Sequence, residues 1–181
     1  MTLAVSFLRG INVGGRNSIR MADLRQLYAD LGMMQVRSLL QSGNVVFQTA
    51  LTDLTSVKLQ LEAGIRSAFG LDIQIFLRSA EDFGDIMARH PFSAEQLHEP
   101  RKAALVFLSG APDAIAVGAL RESAHGREVI HAAGRELYIF YRDGMARSKL
   151  DNQRIESRLG LGASARNWNT CLKLQRLLAE Y

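Results

Sequence analysis

The sequence of 181 residues predicts an α+β fold of two ferredoxin-like βαββαβ subdomains in tandem, with an additional linking helix and a C-terminal helix. Three observations carry this expectation. Short apolar runs of strand length alternate with apolar stripes at helical spacing, glycines or polar clusters punctuate the junctions, and the order of elements in the first half returns in the second. The predicted boundaries are 1–78 for the first subdomain, 79–102 for the linking helix and loop, and 103–181 for the second subdomain with its C-terminal helix.

In the first half, Leu3 to Leu8 reads as a strand and residues 10 to 15 as a Gly-rich loop. Met21, Leu24, Leu27, Tyr28 and Leu31 then form the stripe of a helix stopped by Gly32. Val36 to Leu40 and Val45 to Phe47 are β-prone runs around Gln41-Ser42-Gly43-Asn44, which suits a hairpin turn. Leu54, Val57, Leu61, Ile65 and Ala68 mark a second helix, with Thr55 or Ser56 as cap and Gly70 as stop, before a fourth strand over Leu71 to Leu77. Ser79 with Asp82 has the spacing of a capping box for the linking helix, and Pro91 ends it.

The second half repeats the pattern. Ala103 to Leu108 reads as a strand, about Pro112 to Glu122 as a helix, and Glu128 to His131 and Leu137 to Tyr141 as strands around a turn at Gly134. A helix over Leu150 to Leu159 stops at Gly160, Ala163 to Arg166 is the last strand, and a helix from Asn169 carries Leu174, Leu177 and Leu178.

A composition of 48% hydrophobic and 22% charged residues fits a globular chain. The single cysteine, Cys171, excludes an internal disulfide, and the N-terminus reaches Arg9 and Gly10 too early for a signal-peptide core. Together they predict a cytoplasmic protein. No apolar run approaches the roughly 18 residues that cross a bilayer, so no membrane partner is expected. The formal charge of +4 permits anionic partners, but the arginines are scattered along the whole chain.

In such a subdomain the strands order as 4-1-3-2, which makes distant residues neighbours. Arg9, Asn12, Gly14, Gly15 and Arg16 then lie beside Ser42 and Asn44, at the end where the first helix begins. The same topology brings Arg147, Ser148 and Lys149 toward Arg166, Asn167, Trp168 and Asn169 in the second half. Clusters of this kind suit a small anionic ligand, phosphate-bearing or nucleotide-like. Glycines let backbone N–H groups approach an oxyanion, a helix N-terminus adds partial positive charge, and Arg, Lys, Asn and Ser complete the donors. Trp168 would stack on a base or sugar while Arg166 holds a phosphate. The plainer expectation is that the glycines shape turns, the asparagines and Ser148 cap helices, and Trp168 anchors the core. The loop matches neither GxxxxGK[ST] nor GxGxxG.

Two other classes of function compete. Phe107, Tyr138 and Phe140 fall on adjacent strands and, if exposed, would form a stacking platform for single-stranded nucleic acid. The first half has no matching aromatics, and two joined units need a face to pack together, so burial of the three is expected. The third class is a structural or interaction module without a ligand, marked by an exposed apolar patch.

Catalytic machinery is not indicated. His90, His98, His125 and His131 are scattered, with no CxxC or HExxH for a metal. There is no GxSxG, and SxxK is missing because residue 146 is alanine. Cys171 shares a stripe with Leu174 and Leu178, as a packed and inert thiol would. No cofactor is assigned, and whether the chain is an enzyme stays open.

The segments LRGINVGGRNSIRMADLRQLYADLG, QSGNVVF, RSKL and ARNWNT, in that order, closely resemble the bacterial family catalogued as the domain of unknown function 1697. The resemblance covers essentially the entire chain. It implies two intertwined ferredoxin-like subdomains and no established activity, substrate or partner.

Overall fold

The apolar run at the start of the chain becomes β1 (Thr2–Leu8), paired antiparallel on both sides. Its neighbours are β3 (Asn44–Thr49) and β4 (Ile75–Ser79), and β2 (Met34–Leu39) lies outside β3, so the sheet order is β2-β3-β1-β4. This is the 4-1-3-2 order expected from the sequence. The computed structural model describes residues 1–181, and its contacts fall into two units, Met1–Asp85 with Gln175–Tyr181 and Ile86–Leu174.

In the first unit, α1 (Met21–Asp30) and α2 (Leu54–Phe69) supply Leu24, Tyr28, Leu61 and Ile65 to a core that also holds Ala4 and Leu8 of β1. Ser6 sits on the same strand face, and its hydroxyl is hydrogen-bonded to that of Tyr28 at 2.9 Å. Burial pushes the Tyr28 phenol well above its ordinary pKa. The other face of β1 is also buried, with the Phe7 ring 5.9 Å from Phe83 of α3 (Ala80–Ala88). Burial on both faces is why β1 reads as a nearly continuous apolar run rather than an alternating one.

The edge strand β2 is irregular: Gln35 takes a positive φ, and the register shifts between Met34 and Arg37. The end of the chain closes on this irregularity. Tyr181 donates its hydroxyl to the Gln35 carbonyl at 2.5 Å, and Arg37 pairs with Glu180 at 2.6 Å. An edge strand tied down in this way offers less of its backbone to stray pairing.

The second unit has the order β6-β7-β5-β8, with β5 (Ala103–Leu108) between β7 (Glu136–Tyr141) and β8 (Ala163–Asn167), and β6 (Glu128–Ala133) at the edge. Here α5 (Ala114–Ser123) and α6 (Asn152–Leu159) supply Leu120 and Ile155 to a core shared with Val106, Leu137 and Ile139. Between α3 and β5 lie a short helix, α4 (Ala94–Leu97), and a 3₁₀ turn over Pro100–Lys102. The chain closes with α7 (Trp168–Leu178).

Several element starts differ from the sequence expectation, mostly because an aspartate competes for the cap. Asp53, not Thr55 or Ser56, caps α2 by accepting from the backbone of both. Asp151 caps α6, so that helix begins at Asn152 and not at Leu150, and Asp113 caps α5. β4 begins at Ile75 rather than Leu71, because residues 70 to 74 form a loop that drops Ile73 into the core. None of the helices is long and apolar enough to cross a membrane.

Candidate functional site

The Gly-rich loop and the hairpin turn do meet in the first unit. Leu8 N–H donates to the Gly43 carbonyl at 2.8 Å, and Phe7 stands opposite Asn44 in the β1–β3 register. Gly43 carries a φ of +75°, and a Cβ there would lie 2.8 Å from both Leu8 Cβ and Ile11 Cδ1. Only glycine lets the two segments approach so closely.

The side chains at this corner are engaged in holding it. Asn12 donates from Nδ2 to the carbonyls of Ile19 and Gln41, at 3.0 and 2.8 Å, and accepts Ile19 N–H at Oδ1, at 2.9 Å. Asn44 is fully buried and donates to the Leu39 carbonyl at 2.9 Å and to Ser42 Oγ at 3.1 Å. Gly14 and Gly15, both at positive φ, form the centre of a tight turn closed by Arg16 N–H on the Val13 carbonyl at 3.1 Å. Arg16 is exposed; Arg9 is half-buried, with its backbone N–H on the Gln74 carbonyl at 3.0 Å.

In the second unit the expected cluster divides. Arg166 is buried, donates to Ser164 Oγ and the Ala165 carbonyl, both at 2.8 Å, and has its pKa pushed down to about 10 by that burial. Trp168, 2% exposed, packs edge-on against Phe92 and His90 with ring centroids 5.1 and 5.3 Å away, as a core anchor does. Asn167 donates to the Arg101 carbonyl and to Met145 Sδ, and its Oδ1 accepts Asn169 N–H. Phe107, Tyr138 and Phe140 are buried as well, with the Tyr138 hydroxyl on the Ile86 carbonyl at 2.7 Å. No ring of the three is open for a base to stack on.

Ser148 and Lys149 have different surroundings. They line a cavity of about 350 Å³ at the end of the second sheet where β6 starts and β7 ends. The turn after α5 brings Arg127 and Glu128, the loop after β7 brings Asp143, and the segment into α6 brings Arg147, Ser148, Lys149 and Arg154. The Glu128–Tyr141 register sets the two loops side by side. Ser148 Oγ donates to Glu128 Oε1 and accepts Leu150 N–H at 2.9 Å, which fixes the carboxylate against the wall. Arg127 faces Asp143 at 3.8 Å, whereas the side chains of Arg147, Lys149 and Arg154 have no carboxylate partner.

Four cationic side chains against two carboxylates leave a formal surplus of two positive charges around this hollow. A hollow with this surplus can attract an anion, and its two carboxylates can accept hydrogen bonds. No three His, Cys, Asp or Glu side chains come together in a way that could hold a metal ion. Arg127, Asp143 and Arg154 belong to no motif, and their convergence depends on two loops that only the strand register brings together.

The family model described as protein of unknown function, DUF1697, matches residues 1–138. The chain belongs to the DUF1697 family. Among solved structures, the conserved bacterial protein SP0830 from Streptococcus pneumoniae is similar with a TM-score of 0.76 and 25% sequence identity, over 99% of both chains. No curated protein matches the sequence. For this DUF1697 protein, the cavity draws Arg127 and Glu128 from inside the matched segment and Asp143 to Arg154 from beyond it.

Proposed function

We propose that the protein binds a small phosphate-bearing anion in the cavity between the β6 and β7 ends of the second sheet. The observation that carries this reading is the convergence of Arg147, Lys149 and Arg154, none of them neutralised by a carboxylate, on one concave space. Cations held near one another without a counter-charge repel, and an anion seated among them relieves that repulsion. Of the expected cluster, Arg147 and Lys149 stay in the ligand set, with Arg127 and Arg154 joining them, and Ser148 gives its one hydroxyl proton to Glu128. Asn12 and Asn44 hold loops, and Arg166 and Trp168 pack inside the fold.

Thermal denaturation with and without inorganic phosphate or phosphate esters tests the reading. A ligand at a hundredfold over its Kd stabilises the folded state by about 2.7 kcal/mol, a rise in Tm of roughly 5–10 °C. Each exposed cation contributes about 1 kcal/mol, so R147A/K149A/R154A weakens binding by roughly a hundredfold and the Tm rise disappears. An equal rise in wild type and triple variant, or none in either, rejects the site.

A further inference from the structure

We infer that the ligand is a sugar phosphate, one phosphoryl group on a non-aromatic body rich in hydroxyls; this rests on the anion site proposed above. Three features of the lining select that class. The surplus of two positive charges matches a single phosphate dianion. Glu128 and Asp143 stand in the same wall, where they repel a second phosphoryl group but accept hydrogen bonds from neutral hydroxyls. No Phe, Tyr or Trp lines the cavity, whose one ring is the small imidazole of His125, so a nucleobase finds no large aromatic face to stack on.

Size and order agree with this assignment. At about 350 Å³ the cavity is at the small end of the roughly 300–1,000 Å³ that ligand pockets span. Glu128 is oriented before any ligand arrives, because Ser148 donates to one of its oxygens and is itself held by the Leu150 N–H. A carboxylate fixed in this way loses little freedom on taking a sugar hydroxyl. The cations then select the phosphoryl group, and the carboxylates select what carries it.

Isothermal titration with ribose 5-phosphate, glucose 6-phosphate, AMP and inorganic phosphate tests the assignment on the intact chain. At least one sugar phosphate is expected to bind roughly tenfold or more tightly than both inorganic phosphate and AMP, the gain of hydroxyl bonds to charged acceptors. In E128Q/D143N that preference falls to near unity, while inorganic phosphate binds as well as before or better, since two negative charges have gone. An unaltered Tm confirms that the carboxamide variant is folded. AMP binding as tightly as the sugar phosphates, or a preference that survives in E128Q/D143N, overturns the sugar-phosphate assignment and leaves the anion site standing. No heat with any of the four, inorganic phosphate included, overturns both.

Discussion

Asn12 spans the corner between the Gly-rich loop and the hairpin turn, donating to the Gln41 carbonyl at 2.8 Å while its amide closes on both backbone groups of Ile19. It does so from a positive φ of 55°, a conformation asparagine tolerates better than most residues. Replacement by alanine removes three hydrogen bonds and leaves the strain. Asn12→Ala is expected to destabilise the protein by about 2 kcal/mol in urea unfolding, with phosphate affinity unchanged. A variant of native stability that loses phosphate binding instead would move the ligand site to this loop.

Asp53 gives a pH dependence with a definite sign. Its pKa is held below the ordinary carboxylate value, chiefly by the Ser56 hydroxyl and then by the backbone N–H groups of Thr55 and Ser56. A carboxyl with a folded pKa below its unfolded value, roughly 3.9, stabilises the fold above that pH and loses the contribution as pH falls through the folded value. Asp53→Asn should therefore lower Tm at neutral pH and flatten the acid limb of the Tm–pH curve. Parallel acid limbs for variant and wild type would contradict the cap.

Cys171 is fully buried, and that burial raises its thiol pKa to about 12 against the smaller opposing effect of the nearby Arg166 charge. The unfolded value is roughly 8.5, so the thiol's contribution to stability is complete below that pH and declines as pH rises toward the folded value. In the native protein at neutral pH the sulfur should be silent to Ellman's reagent and react once in urea. Rapid labelling of the folded chain would mean that α7 opens readily.

The order of elements is legible in the sequence from runs of strand length and stripes at helical spacing, and the strand order of both sheets follows from the ferredoxin-like topology that this order implies. Val57, Leu61 and Ile65 do pack together in the first core, and Gly70 and Gly160 do end their helices in the left-handed conformation. The caps are less legible, since Asp53, Thr55 and Ser56 are all competent and only local geometry chooses among them. The first cluster is legible as a meeting of segments but not in its purpose, because asparagine serves equally as a ligand donor and as a loop brace. Arg166 and Trp168 look functional in a polar motif, yet the strand places Arg166 on a buried face and the helix start buries Trp168. The cavity is the least legible feature: Arg127, Asp143 and Arg154 are ordinary surface residues until the β6–β7 pairing gathers them.

The central claim is that anion recognition belongs to the second unit and not to the Gly-rich loop. Titrating inorganic phosphate into the ¹⁵N-labelled chain and following its amide resonances tests this directly. The account predicts saturable shifts confined to residues 125–128 and 143–154, with residues 10–17 and 41–44 unmoved. Shifts centred on the Gly-rich loop and hairpin turn, with the cavity residues silent, would contradict it.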